Sequence, residues 1–503
     1  MSVDAALCVL DLEDSLPVHS LQKAAGPVEV KVTDFSRKEI TEGREFVDRC
    51  LSKGDRVYGS TTGFGPLVTF DGRGSTIDQC DNVLQHLTAG QGPDLPLDVV
   101  RAAVLARVRS LSYGRSGVSL SVIDALCAML ATSFTPAVPE FGSVGASGDL
   151  VPFAHVVQAL RGNGHAYLDG VRMPADRALH EAGLTPLRLD GRDALALVNG
   201  TSLTTAAAAL AVTSLRRSHR AAALLTALLA DLLGAGPAFA HPGLLAAYGH
   251  PAVEDAGRLM RETLRGGRPS GDRPLQEPYS IRCAPQLLGA ARGALDYAEE
   301  TIGRDLNGVS DNPLFFLETG EVAHGGNFFG QPCAFACDHL SLVAAQIGNL
   351  AERQLDMLTD PHRNGGRPPM LSPAPGEQHA LQGVQVAATS LVVAMRRRTT
   401  PAAAQSVPTN LHNQDVVPFG TQAALTAYEQ AGTLRLLHGS LAIGLRQAAH
   451  VGDRGATAPG CADLLNRLCE SIPPIDRDRP LHEDVRTAAD VLDTYTLAGS
   501  QDR

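Results

Sequence analysis

The stretch EFGSVGASGDLVPFAH, Glu140 to His155, sets Gly142, Gly145 and Gly148 around Ala146 and Ser147, then follows them at once with Asp149, Leu150 and Pro152. Clustered glycines free the backbone for turns and for close approaches that a Cβ would block, so an irregular, tightly folded loop is predicted. Such a loop is either a bend or a working part. Its surroundings decide which.

Those surroundings are helical, increasingly so beyond about residue 200. Segments such as TTAAAALAVTSLRRSHRAAALLTALLADLL from Thr204, DHLSLVAAQIGNLAERQLDML from Asp338 and TQAALTAYEQAGTLRLLHGSLAIGLRQAAH from Thr421 are rich in Ala and Leu and run for several turns. Several are apolar on more than one face, which in a soluble chain means burial among other helices, including those of another subunit. The first 200 residues mix shorter helices, such as LDVVRAAVLARVRSL from Leu97, with Gly-rich loops. The expected fold is therefore mostly α, with an N-terminal lobe over residues 1–200 that bears the site and a helical bundle over 201–503 that carries oligomerisation.

Composition removes several classes of function. The chain has 503 residues, 44% of them hydrophobic, enough for a large core, and a net charge of −11 without long Lys/Arg runs, so no nucleic-acid partner is expected. Nine scattered cysteines with no CxxC pair fit reduced thiols in a cytoplasm. Cys333, Cys337 and His339 lie close in sequence but read as packing on a helix, so no metal is expected. The N-terminus MSVDAALCVLDLEDS lacks a basic region and makes a poor signal peptide. The most apolar segment, Thr204 to Gly234, is interrupted by Arg216, Arg217, His219 and Arg220, so no membrane span is expected.

A second Gly-rich loop, VYGSTTGFGPLV from Val57, has neither the lysine nor the spacing of a phosphate cradle, and no nucleotide is expected there. Its company is more informative. LQHLTAGQG (Leu84–Gly92), ALVNGTS (Ala196–Ser202), QEPYSIRCAPQ (Gln276–Gln286), SDNPL (Ser310–Leu314), HGGNFFGQ (His324–Gln331) and HNQDV (His412–Val416) follow in order. Together with the opening stretch, this set resembles the aromatic amino acid ammonia-lyase and aminomutase family over roughly residues 30–450.

The resemblance gives the glycine cluster a purpose. It implies that Ala146, Ser147 and Gly148 cyclise into a methylidene-imidazolone (MIO), the amide nitrogen of Gly148 reaching the carbonyl carbon of Ala146 and Ser147 losing its hydroxyl as water. Asp149 is implied as a proton shuttle for those dehydrations. The group supplies an electrophile, which no ordinary side chain is, to take the substrate amine. By the same likeness Tyr58 is the base for the β proton, Arg282 clamps the substrate carboxylate with its planar fork, and Asn199 holds that carboxylate or orients the bound substrate. Gln276 and Tyr279 complete a polar wall, Phe328 packs beside the MIO, and Gly65 of the Tyr58 loop lines the substrate site.

Substrate choice rests on two positions. The resemblance pairs His-Leu with tyrosine, Phe-Leu with phenylalanine and Ser-His with histidine; here the pair is His86-Leu87, and Gln414 stands where histidine lyases carry glutamate. Asn410 and Gln414 would line the ring side of the pocket. Ser60 and the region of Asp193 depart from the usual family wording. The expected activity is a tyrosine ammonia-lyase giving p-coumarate, a phenylpropanoid acid, and ammonia, in a cytoplasmic homotetramer. A tyrosine aminomutase, a histidine or phenylalanine lyase, and a non-catalytic oligomeric scaffold remain as alternatives.

Overall fold

Helices form where the Ala/Leu-rich runs predict them, because those residues lose little side-chain freedom in a helix and bury well against neighbours. The computed structural model describes residues 8–498; the first seven residues of the acidic N-terminal stretch lie outside the described residues. The longest helices are Ser202–Leu233, Ala284–Leu306, Gln331–Thr359 and Gly420–Val451. The fold is mostly α, and no described helix is long and apolar enough to cross a membrane. All nine cysteines are free thiols.

The chain forms two compact units that do not follow chain order. The first runs up to Leu210 and takes in Ala298–Asp338 and Pro401–Thr426. Its centre is the helix Leu97–Leu111, in which every residue from Val99 to Leu111 is buried. Three arginines on that helix are buried because backbone carbonyls satisfy them. Arg101 donates to the carbonyls of Ala24, Gly26, Leu130 and Phe134, and Arg109 to that of Leu12. Short sheets clip the loops together. Cys8–Asp11 pairs in parallel with Val28–Lys31, and Gln91–Asp94 pairs antiparallel with Pro139–Phe141, the strand that leads into the glycine cluster.

The second unit holds Ala211–Tyr297, His339–Thr400 and the chain from Ala427 onward. Leu225, Leu228 and Leu229 have no exposed surface, and the alanines between and after them let neighbouring helices approach closely. The buried Gln354 finds internal partners, donating to the Thr226 hydroxyl at 2.8 Å and to the Ser280 carbonyl at 2.9 Å. One face stays apolar and uncovered in the single chain. Val386 and Val393, two turns apart on Gln382–Arg397, are 67% and 44% exposed.

Candidate active site

The glycine cluster is an irregular loop between the strand Pro139–Phe141 and the helix Leu150–Leu160. Two of its glycines have left-handed backbones, Gly145 at φ 67° and Gly148 at φ 71°. Space matters as much as torsion. A Cβ on Gly148 would fall 2.3 Å from the backbone of Gly200, and one on Gly145 would fall 2.8 Å from the nitrogen of Gly420. The loop is therefore wedged between two other segments. The Asp149 N–H donates to the Gly200 carbonyl at 2.7 Å, Gly330 N–H to that of Gly145 at 3.0 Å, and Phe419 N–H to that of Val144 at 3.1 Å.

Asp149 completes the wedge. Its carboxylate accepts from the backbone N–H groups of Leu203 and Thr204 at the start of the helix Ser202–Leu233, and from the hydroxyls of Ser143, Thr204 and Thr421, all at 2.8–3.0 Å. A carboxylate suits a helix N-terminus, where unpaired N–H groups and the dipole favour negative charge. Burial pushes its carboxyl upward and these donors pull it back. Both oxygens are already engaged, so the arrangement is that of a strut.

Beside this loop lies a cavity of about 1180 Å³, lined wholly by residues of the first unit. Ala146 and Ser147 form one wall, with Gln414 donating to the Ser147 hydroxyl. Asn199 is 3% exposed and donates to the Asn312 carbonyl at 2.9 Å, and Asn312 in turn accepts from Gly325 N–H at 2.8 Å. Leu87 and Phe328 are part of its apolar lining. Tyr58 and Gly65 come from the second Gly-rich loop, where the Gly65 N–H donates to the Tyr58 hydroxyl at 2.8 Å. Burial raises the Tyr58 phenol above its ordinary value of 10, and that N–H lowers it. The His86 ring lies 5.5 Å from that of Phe64, and its Nδ1 is 2.6 Å from the Asn82 carbonyl oxygen one turn back.

Asn410 and Gln414 also line the cavity, but their four-residue spacing is not a helical turn. Asn410, Leu411 and His412 are all left-handed, at φ 51°, 52° and 61°, and the Thr409 N–H closes the turn on the Gln414 carbonyl at 3.0 Å. The two departures from family wording also find places. Ser60 is buried, and Asp193 accepts from Ser119 N–H at 2.8 Å and pairs with Arg44 at 3.1 Å.

Gln276, Tyr279 and Arg282 are not among the lining residues; they belong to the second unit. Arg282 stacks 4.6 Å over the Tyr279 ring and has no ion pair among the described residues, while Tyr279 is 70% exposed. Asn312, Phe64 and Gln79 line the cavity and escaped the sequence reading. The SDNPL motif pointed at Asn312; no local signal marks the other two.

The chain matches the aromatic amino acid lyase family over residues 16–470. It belongs to that family. Similar curated relatives are a histidine ammonia-lyase of Anaeromyxobacter sp. (strain K), 37% identical over 93% of this chain and 95% of that one, and a tyrosine ammonia-lyase of Cereibacter sphaeroides, 38% identical over 93% and 94%. Among solved structures, the tyrosine aminomutase of Streptomyces globisporus superposes with a TM-score of 0.91 at 30% identity, covering 97% of this chain and 98% of that one. The protein is thus an enzyme with the fold of the aromatic amino acid lyases, and the relatives just named are a histidine ammonia-lyase, a tyrosine ammonia-lyase and a tyrosine aminomutase.

Proposed function

We propose that this aromatic amino acid lyase eliminates ammonia from L-tyrosine to give p-coumarate. The observation that carries this reading is how His86 is held. A backbone carbonyl only accepts, so the Nδ1 beside the Asn82 oxygen carries the hydrogen and Nε2 is left as the ring's acceptor. An acceptor on the cavity wall suits a phenol hydroxyl and has no counterpart on a phenyl ring. Gln414 is a neutral amide that offers no charge to a substrate imidazolium.

The tripeptide fits an MIO: the Gly148 position tolerates no side chain, and Ala146 and Ser147 face the cavity. Ala146, Ser147 and Gly148 would form it, and Gln414 donates to the Ser147 hydroxyl that would leave as water. When formed, the group supplies an electrophilic carbon for the substrate amine; no metal or nucleotide is required. Tyr58 takes the β proton, its phenolate favoured by the Gly65 N–H. Asn199 orients the substrate from the cavity wall. Leu87 and Phe328 exclude water from the ring, and Asn410 flanks it.

Arg282 clamps the carboxylate from a second copy of the chain, with Gln276 and Tyr279 beside it. A guanidinium with no ion pair, stacked on an exposed tyrosine, is ready for such a partner. The uncovered valines of Gln382–Arg397 are apolar surface for assembly into a homotetramer. Free thiols fit a reducing cytoplasm.

One observation favours a second reading, tyrosine aminomutase. The Tyr58 loop is laced by internal hydrogen bonds, Gly72 N–H to the Thr61 carbonyl and Gly63 N–H to that of Phe70, and a loop slow to open retains the arylacrylate for amine return to Cβ. Separate incubations with L-tyrosine, L-phenylalanine and L-histidine decide among these. The highest kcat/KM is expected for tyrosine with p-coumarate as the early product. Dominant β-tyrosine would turn the assignment to the aminomutase, and preference for histidine would overturn the substrate.

A further inference from the structure

We propose that Gln79 is a positioning residue that latches the Tyr58 loop over the cavity and so sets how often the loop opens for release. The latch rests on geometry; its consequence for turnover rests on the reading of Tyr58 as the base.

Gln79 sits on the helix Thr76–Leu87 and is 2% exposed. Its single amide holds three backbone groups of the loop. Nε2 donates to the carbonyls of Gly59 at 3.2 Å and Thr62 at 3.1 Å, and Oε1 accepts from the Arg73 N–H at 3.0 Å. Gly59 and Thr62 lie on the outgoing limb, next to Tyr58, and Arg73 lies on the returning limb. One buried side chain therefore ties both limbs to a rigid helix. Other ties are weaker by position or length. Arg56 reaches the Val68 carbonyl at 3.3 Å from an exposed site, and the Tyr58 N–H donates to His324 Nε2 at 3.4 Å. The tip, with Phe70 65% and Leu67 53% exposed, is the part free to lift.

The same helix carries His86, seven residues and two turns beyond Gln79, and the His86 ring meets Phe64 of the loop at a tilt of 31°. Phe64 in turn meets Tyr58 edge-on at 6.4 Å. The helix thus supports both the ring end of the cavity and the loop that bears the base, and a loosened latch reaches Tyr58 without touching the glycine cluster.

Two substitutions test this. Gln79→Leu keeps the side chain's bulk and removes every hydrogen bond, leaving two buried carbonyls and an N–H without partners. Amide exchange in residues 59–73 should rise about tenfold or more while the rest of the chain is unchanged. The two-water mass deficit of the tripeptide should persist, and p-coumarate should be released faster than from the parent. Gln79→Glu keeps the acceptor for Arg73 and turns an oxygen on the other two carbonyls. Only its protonated form can donate to one of them, so exchange, corrected for intrinsic rate, should be fast at alkaline pH and return toward the parent's as pH falls. A merely structural role would not give that profile.

Unchanged exchange in Gln79→Leu, or fast exchange spread over the whole chain, overturns the latch. If Gln79→Leu does not fold, the pH series of Gln79→Glu decides alone, and a flat series overturns it. Faster loop exchange with unaltered rates and products supports the latch and sinks the role given to Tyr58.

Discussion

Replacing Gly148 by alanine tests the geometry on which the active site depends. The new Cβ would stand 2.3 Å from the nitrogen and carbonyl oxygen of Gly200, where ordinary contact begins near 3.4 Å, so the two segments must part by about 1 Å. Neither neighbour is a flexible side chain. Separation breaks the 2.7 Å bond from Asp149 N–H to the Gly200 carbonyl and pulls Asp149 away from its five donors. The φ of 71° adds about 1–2 kcal/mol for a residue with a Cβ. Overpacking adds roughly 1–3 kcal/mol, so the total loss is about 2–5 kcal/mol. Gly164, at φ 77° with nothing within 4 Å of a Cβ, is the control that carries the torsional part alone. Thermal melting and intact mass are the assays. Gly164→Ala should melt slightly below the parent and keep the two-water deficit. Gly148→Ala should melt lower still and retain the full encoded mass. A Gly148→Ala protein with the parent's melting temperature and the two-water deficit would refute the claim that this contact shapes the loop.

Tyr58→Phe should keep the fold and the mass deficit yet lose about 10²–10⁴ in kcat, the range expected for a missing general base. In the parent, kcat/KM should climb with pH into the alkaline range, since burial raises the phenol and only its phenolate accepts a proton; a flat profile there would count against Tyr58. His86→Phe should raise kcat/KM for phenylalanine and lower it for tyrosine, shifting the ratio about tenfold or more through the loss of the hydroxyl's partner. An unchanged ratio would remove tyrosine as the inferred substrate. Burial pushes His219 down to about 4 and His438 down to about 3, from 6.5. Both folded values are depressed, so stability is complete above pH 6.5 and declines as pH falls toward the folded values. The slope is about 1.4 kcal/mol per pH unit for each histidine, checked by denaturant unfolding between pH 7 and 4. His219→Gln should remove about half of it, leaving the share of His438.

Much of this architecture can be read along the chain. The helix Leu97–Leu111 has the bounds that its apolar run predicts, and the Ala/Leu-rich run from Thr204 lies within Ser202–Leu233. Helix formation is governed by neighbours three and four residues away, so a window of sequence contains most of the information. The irregular loop at Gly145 and Gly148 is similarly local, because a left-handed φ is a property of one residue. Tyr58, His86, Asn199 and Gln414 came from ordered motifs, and they line one cavity.

By itself, then, the sequence determined the helices, the glycine bend and the order of the motifs, which is enough to place the chain in its family. Only the tertiary structure decided what the bend presses against. Gly145 and Gly148 press backbone to backbone on Gly420 and Gly200, and those two are themselves hemmed in, a Cβ on Gly200 falling 2.4 Å from the Ser310 carbonyl oxygen and one on Gly420 2.9 Å from that of Gly330; no local pattern distinguishes a glycine needed for distant contact from one needed for its own turn. Gln79 reads as an ordinary polar residue near the start of an amphipathic helix until Gly59, Thr62 and Arg73 arrive around it. In the turn at Asn410–His412 the left-handed torsion suits Asn410 and His412 better than Leu411, which holds it only because the surroundings over-determine it. Contacts between segments depend on which surfaces meet, and burial strengthens each hydrogen bond made there while penalising each one left unmade. That is why residues lining this cavity could be picked out from its motifs while the parts that hold them in place could not.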